Sequence, residues 1–250
     1  MKQYIITPAM GKRLIGRALA HHPAIRAVLT HGTLAIIAGT TNGYVAEEIL
    51  DELGGGEAFS RKGFRRGTVL PPAAPPGSAA SEFPGDVILV DGQWRQGLTI
   101  FDVVDELRTG DIVLKGANAF HVRTRQAALY IGHPQAGTVG AVIGPVAGRR
   151  VRMIVPVGLE KRVDEPILDI VARVNAPGAH GPGMLALPGE AFCELDAITL
   201  LTGADACLLG GGGIHGAEGA VWVGIDGNDS QMDEVAALLE RVNTEPMCDA

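Results

Sequence analysis

The feature that most constrains the fold of this chain is an alternation of apolar runs with helix-like segments between Thr33 and about Asn243. The runs TLAIIAG and DIVLKGANAF are continuous and apolar, as in buried strands, whereas GYVAEEILDEL has the spacing of an amphipathic helix. Strands that alternate with helices form right-handed βαβ units. We therefore predict an α/β fold with a mostly parallel, Rossmann-like sheet and helices on both of its faces.

The composition is compatible with one such domain over residues 1–250. Apolar residues make up 46% of the chain but aromatic residues only 4%, so the core must consist mainly of aliphatic side chains. This usage is expected where parallel strands are covered on both faces. Because no internal repeat and no shift in composition divides the chain, we predict a single domain.

Local signals predict several further elements. Thr7 and Pro8 predict a helix start, since Thr is a favoured N-cap and Pro a favoured first helical residue. Four later segments have the pattern of secondary structure, namely the helices TIFDVVDELRTG and PGEAFCELDAITLLTG and the strands DACLLG and AVWVGIDG. Residues 56–84, rich in Pro, Gly and Ser, predict a long loop that is either a functional lid or a surface segment.

The charge and the cysteines exclude several classes of protein. The chain has 21 basic and 28 acidic residues, a net charge of −7, which argues against a general nucleic-acid surface. Two basic clusters, Arg61–Arg66 and Gly148–Arg152, are interpreted as solvated surface or as anion sites. The spacing of Cys193, Cys207 and Cys248 matches no zinc site and is typical of reduced cytoplasmic thiols.

The chain shows no pattern of a membrane or secreted protein. Its N-terminus, MKQYIITPAMGKRL, lacks an apolar stretch long enough for a signal peptide. No apolar run reaches the roughly 18 residues that a membrane-spanning helix needs. We therefore predict a cytoplasmic protein without a membrane partner.

The first candidate site is AGTTNG, which follows the first apolar strand. Gly39 would let a ligand approach the backbone, and Thr40, Thr41 and Asn42 would offer side-chain donors. The helix that begins there would add its free N–H groups, which suits a phosphate or carboxylate. The alternative is that Thr41 or Asn42 only caps the helix. A Walker A loop is excluded, because no Lys-Ser/Thr follows.

The second candidate site is LKGANAFH, at the end of a later strand. It carries Lys115, Asn118 and His121 to a place where ligands bind in α/β sheets. Lys115 would hold an anion or act through a lowered pKa if it were buried. The alternative is that these side chains are exposed and without function.

Two further polar segments follow apolar runs. IGHPQAGTVG contains His133 and Thr138. PVGLEKR contains Glu160, which would be a general base if burial raised its pKa. The alternative for Glu160 is an ordinary surface ion pair with Lys161 or Arg162.

The glycine-rich segment Gly210–Gly219 is the last candidate. It contains a formal G-x-G-x-x-G, but a strand pattern follows it where a dinucleotide fingerprint would open a helix, so we exclude that function. Gly212 and Gly213 would form an anion-binding nest. His215 and Glu218 would be either an acid–base pair or a hydrogen bond that holds the loop.

Metal and cofactor motifs are absent from the sequence. Four His residues on separate loops are the only candidate ligands, namely His121, His133, His180 and His215. No HExxH, no nucleophile elbow and no cysteine cluster occurs. We therefore predict no metal and no cofactor.

The order of these motifs resembles the superfamily of ribose-5-phosphate isomerase, glucosamine-6-phosphate deaminase and the CoA-transferases. In that group a strand ends in Gly-Thr, and the next helix start holds a phosphate; Gly39, Thr40 and Thr41 match. The segment Gly116–Asn118 is similar to a later Gly-Ala-Asp or Gly-Ala-Asn loop. Asn118 stands where the sugar isomerases carry a catalytic Asp. The resemblance, over about residues 30–160, implies this fold and this ligand location.

We therefore predict an enzyme that acts on a small phosphorylated or carboxylated metabolite by isomerisation or another proton transfer. The expected roles are anion binding by Gly39–Asn42 and by Gly212 and Gly213, orientation of the reacting group by Lys115 and Asn118, and proton transfer by Glu160, Glu218 or His215. Two alternatives stay open: a non-catalytic metabolite-binding or sensor domain, and a CoA-ester or nucleotide-dependent transferase. Ala- and Gly-rich apolar surfaces are compatible with a homo-oligomer.

Overall fold

A computed structural model describes residues 1–66, 69, 72–73 and 85–246. The described chain is a mixed α/β structure. Its strands are β1 (Lys2–Ile6), β2 (Thr33–Ile36), β3 (Val87–Val90), β4 (Gln93–Trp94), β5 (Ile112–Leu114), β6 (Ala119–His121), β7 (Gln126–Ile131), β8 (Arg152–Pro156), β9 (Gly183–Ala186), β10 (Glu190–Phe192), β11 (Asp205–Gly211) and β12 (Val221–Asp226).

The helices fill the intervals between these strands. They are α1 (Pro8–Ala20), α2 (Pro23–Thr30), α3 (Thr40–Glu52), α4 (Ile100–Val103), α5 (Gly137–Gly148), α6 (Ile167–Val174), α7 (Glu194–Thr202) and α8 (Asp229–Val242). As predicted, α1 begins with Thr7 as its N-cap and Pro8 as its first residue. None of the helices in the described ranges is long and apolar enough to cross a membrane.

The central sheet has six strands in the order β10-β8-β5-β2-β3-β4. The four strands from β10 to β2 run parallel, and β3 and β4 extend the sheet in antiparallel pairs. Leu34, Ala35 and Ile36 of β2 are completely buried, as is Val113 of β5. A continuous apolar run is what a strand in the middle of a covered sheet requires, so this part of the prediction is confirmed.

The prediction that all the later strands continue one alternation is wrong. β11 and β12 form a separate antiparallel sheet with β1, and β6, β7 and β9 form a third sheet, also antiparallel. The physical reason is the length of the connections, because a parallel crossover needs a dozen or more residues. Residues 212–220 between β11 and β12 are too few and make a hairpin.

Two predicted helices are shorter than their sequence patterns. In TIFDVVDELRTG the helix ends at Val103, and the Arg149 guanidinium takes the carbonyl groups of Val104 and Asp105 that further helical turns would use. In PGEAFCELDAITLLTG the first residues form β10 on the edge of the central sheet. Helix α7 starts only after Cys193, whose N–H donates to Asp196.

Packing of helix α1 against α3 fixes where α3 begins. The two helices approach so closely at Gly16 that a Cβ there would lie 2.9 Å from the Tyr44 carbonyl oxygen. Tyr44 itself is buried, with the guanidinium groups of Arg13 and Arg61 over its ring at 4.8 and 4.0 Å. These contacts hold α3 with its first turn at the end of β2.

Candidate functional site

A cavity of about 900 Å³ lies at the carboxyl ends of β2 and β5. The chain leaves β2 through Ala38 and Gly39 into α3, and leaves β5 through Lys115 into the loop that leads to β6. Ligands of open α/β sheets bind at this edge. The described residues that line the cavity come from six segments: 38–42, 65–66 with 69, Phe101, 115–118, 129–141 in part, and Lys161.

The first turn of α3 faces this cavity with free backbone donors. Gly39 is the N-cap, and no side chain caps the helix. The prediction that Thr41 or Asn42 caps α3 is therefore wrong, because both residues lie inside the first turn. Within the described part of the chain, the N–H groups of Thr40, Thr41 and Asn42 have no acceptor, although each of these residues lines the cavity. A helix N-terminus of this kind attracts an anion.

The buried side chain of Asn42 connects the elements that form this end of the cavity. Its Nδ2 donates to the Ile37 carbonyl at 2.7 Å and to the Leu114 carbonyl at 3.0 Å, so one side chain joins α3 to the ends of β2 and β5. The hydroxyl oxygen of Thr41 and Oδ1 of Asn42 are both buried, and neither has a hydrogen-bond partner among the described residues. Unsatisfied buried polar atoms are rare in native proteins and often mark functional positions.

Lys115 is the buried cation of the cavity. Its side chain lines the cavity, yet the residue is only 7% exposed, and no acceptor for its Nζ occurs among the residues that the structure describes. Burial lowers the pKa of Lys115 to about 8; the Asp86 carboxylate acts to raise it, and Arg66 and Lys161 lower it further. A lysine in this state holds a proton weakly at neutral pH.

Asn118 lines the same cavity in a fixed orientation. Its Oδ1 accepts from the Tyr130 N–H at 3.1 Å, which ties the loop after β5 to β7. The Nδ2 group has no acceptor in the described ranges. The amide therefore presents donors to the cavity, as expected of a group that orients a carbonyl or hydroxyl.

The remaining charged groups of the cavity are basic. Arg66 pairs at 3.1 Å with Asp86, whose carboxylate also accepts from the N–H groups of Ala38 and Ile100. Lys161 donates to the Ala117 carbonyl at 2.8 Å, and Arg65 also lines the cavity. Among the described lining residues no side chain is a carboxylate. The electrostatics of this cavity therefore favour an anionic ligand.

The predicted segment IGHPQAGTVG, residues 131–140, also lines the cavity. His133 and Thr138 line it, together with the first residues of α5. Ala136 lies before α5 in the left-handed region at φ 59°. Gly140 and Ala141 also line the cavity, and their small side chains occupy little of its volume.

Comparisons of the chain with protein-family models, with curated proteins and with solved structures found no match. The resemblance to the isomerase and CoA-transferase superfamily therefore stays a prediction that depends on its two motifs.

Glu160 lies apart from the described lining of the cavity, although its neighbour Lys161 belongs to it. The Glu160 carboxylate pairs with Lys12 of α1 at 2.8 Å. Burial acts to raise the pKa of Glu160, but Lys12 and Lys161 outweigh it and hold the pKa below its usual value. Glu160 is therefore ionised and paired with Lys12. Its pKa is lowered, whereas the role of general base that we predicted requires a raised one.

Glu194 of α7 completes this buried cluster. Both of its carboxyl oxygens accept from the Leu159 N–H, at 3.2 and 2.9 Å, and Gly11 leaves no Cβ in the space that the carboxyl group occupies. Burial, together with the nearby Glu160 carboxylate, raises the pKa of Glu194 to about 8. At neutral pH this carboxyl group is mostly protonated.

Residues 212–220 of the glycine-rich segment connect β11 to β12 in a hairpin, so the strand predicted after this segment is confirmed. Gly212, Gly213, His215 and Glu218 are not among the lining residues of the cavity. Glu218 accepts from the Gly216 N–H at 2.8 Å and thereby holds its own loop.

The other titratable candidates also have structural partners. His121 is buried, with Nδ1 at 2.8 Å from the Thr124 hydroxyl. Across the described residues no three His, Cys, Asp or Glu side chains converge as metal ligands do. Cys193 is buried and Cys207 exposed, both as free thiols, and Cys248 lies outside the described residues, as does most of the predicted excursion beyond Arg66.

Several lining residues carried no clear signal in the sequence. Arg65 and Arg66 belong to a basic run that has the composition of ordinary surface, and Lys161 has the same ambiguity. Phe101 lies in a segment predicted only as a helix, and Tyr130 is a single aromatic residue in an apolar run for which we predict no function. Their convergence depends on contacts between distant segments, which periodicity does not reveal.

Proposed function

We propose that this protein is an enzyme acting on a small phosphorylated or carboxylated metabolite, by isomerisation or another proton transfer. The observation that carries the proposal is Lys115, a buried cation without a described acceptor, which lines the same cavity as the free N–H groups at the start of α3. An anion bound there would satisfy both.

The same lysine has the properties of a proton-transfer group. With a pKa of about 8, roughly a tenth of the Lys115 side chains would be neutral at pH 7 and able to accept a proton. The amide of Asn118 and the hydroxyl of Thr41 would orient the reacting group beside it. Lys115 thus takes the role that the sequence assigned to Glu160, Glu218 or His215.

The binding step is tested with inorganic phosphate and ribose 5-phosphate as probes. Thermal shift and titration calorimetry would compare the wild type with Lys115→Met and Thr41→Val, with Lys2→Met on exposed β1 as the matched control. We expect binding to weaken at least about tenfold in Lys115→Met, since a hydrogen bond to a charged group is worth about 1.5–3 kcal/mol, and to be unchanged in Lys2→Met.

The catalytic step is tested by proton NMR in D₂O. A panel of sugar phosphates and hydroxy acids would be followed for loss of a C–H signal, with and without the protein. Exchange by the wild type that disappears in Lys115→Met supports the enzyme. Binding without exchange across the panel favours the sensor domain, and anion affinity that is indifferent to Lys115 overturns the site itself.

A further inference from the structure

The cavity is larger than an anion and a short carbon chain require. Its volume is about 900 Å³, at the upper end of the range of about 300–1,000 Å³ that is usual for small-molecule sites. The basic groups and the first turn of α3 account for one part of its wall. The other lining residues include the apolar side chains of Phe101, Leu129 and Ile131 and the polar ones of His133, Gln135 and Thr138.

Two of the lining residues are aromatic and partly exposed. Phe101 of α4 is 54% exposed and Tyr130 of β7 is 37% exposed, and both line the cavity. Leu129 and Ile131, on either side of Tyr130, line it as well. A half-exposed Phe loses the free energy that its burial would supply, and apolar surface left exposed at a cavity is typical of a ligand-binding groove.

From this juxtaposition we propose that the ligand carries an aromatic ring in addition to its anionic group, as a nucleoside monophosphate does. The inference rests on the proposed function, because the phosphate would occupy the site of Lys115 and α3. The ring would then lie against Phe101 and Tyr130.

The charges of the cavity specify the anionic part more closely. Nucleoside triphosphates enter most sites with a divalent cation that carboxylates help to hold. The described lining residues include basic groups and no carboxylate. The cavity thus suits a metal-free phosphate whose charge is neutralised by Lys115 and its basic neighbours.

The aromatic contact is tested by comparing three probes that share one anion. Titration calorimetry would measure inorganic phosphate, ribose 5-phosphate and adenosine 5′-monophosphate on the wild-type chain. Stacking of one base on an aromatic side chain tightens binding by about 5- to 150-fold. We expect adenosine monophosphate to bind tighter than ribose 5-phosphate by a factor in that range.

The variants separate the ring contact from the phosphate contact. Phe101→Ala should reduce the preference for adenosine monophosphate over ribose 5-phosphate by at least about fivefold and leave the affinity for ribose 5-phosphate unchanged. The matched control is Trp222→Ala, an aromatic residue with similar exposure, 48%, on β12. It should leave all three affinities unchanged.

Each outcome decides one of the two proposals. If ribose 5-phosphate binds through Lys115 and the adenine adds nothing, the aromatic ligand is wrong and the proposed function stands. If adenosine monophosphate binds with the Phe101 dependence but without any effect of Lys115→Met, the anion site is wrong. If adenosine monophosphate is preferred but Phe101→Ala preserves the preference, the assigned ring position is overturned.

Discussion

At the scale of single residues, the burial of Lys115 is expected to lower the stability of the folded protein. Its pKa of about 8 in the folded protein lies below the value of 10.5 in the unfolded chain, so the folded state binds fewer protons between these pH values. The buried charge therefore lowers stability at neutral pH, by up to about 3 kcal/mol, and stability is regained as the pH rises from 8 through 10.5. We expect Lys115→Met to raise Tm at pH 7 by roughly 5 °C.

The pH dependence distinguishes this explanation from a general effect of methionine. The gain in Tm should shrink as the pH approaches 10.5, because the wild-type lysine is then neutral, and Lys2→Met should change nothing at any pH. A Lys115→Met protein that is less stable than the wild type at pH 7 would contradict the destabilising effect of this buried charge.

At the scale of secondary-structure elements, Asn42 joins α3 to the central sheet. In Asn42→Leu the Ile37 carbonyl loses its buried donor, and such an unsatisfied group costs about 1–3 kcal/mol. The Leu114 carbonyl loses one of two donors, since it still accepts from the Ile37 N–H, and the lost hydrogen bond costs about 0.5–1.5 kcal/mol. We expect urea unfolding to show a loss of about 2–4 kcal/mol. The comparison is Asn228→Ala, which removes the N-cap of α8 and should cost only about 1 kcal/mol; a smaller loss in Asn42→Leu would refute the bridge.

Elements formed by contiguous residues could be predicted from the sequence, whereas pairings between distant strands could not. β2, α3 and β5 follow from contiguous patterns, and so did the location of Gly39–Asn42 and Lys115 at one edge of the sheet. The pairing of β1 with β12 depends on residues more than two hundred positions apart, and no local period reveals it. The cap of α3 was misjudged because Thr and Asn favour N-caps. Gly39 takes that position instead, and Asn42, in the first turn, donates to the carbonyl groups of Ile37 and Leu114.

At the scale of the whole molecule, buried Glu194 links stability to pH. It joins α7 to the turn at Leu159 beside α1, and its pKa of about 8 in the folded protein lies above its usual value of 4.5. The folded state therefore holds more protons than the unfolded chain between these values, and stability falls as the pH rises from 4.5 through 8. The slope for one such proton is at most about 1.4 kcal/mol per pH unit.

The partners of Glu194 determine how this dependence is measured. Glu160 has a lowered pKa, so its contribution is present above 4.5 and is lost only as the pH falls. The lysine of the cavity, with its pKa of about 8, changes stability mainly between pH 8 and 10.5 and already contributes at pH 8. Urea unfolding of the wild type and Glu194→Gln at pH 5, 6 and 7 therefore isolates Glu194 as the difference between the two proteins, because His22, whose pKa burial lowers from 6.5, contributes to both. We expect Glu194→Gln to flatten the decline and Glu190→Gln, an exposed carboxylate paired with Arg152, to preserve it. If the wild type and Glu194→Gln lose stability in parallel, the buried carboxyl group is already ionised at pH 5, and the cluster of Lys12, Glu160 and Glu194 holds two negative charges against one positive charge.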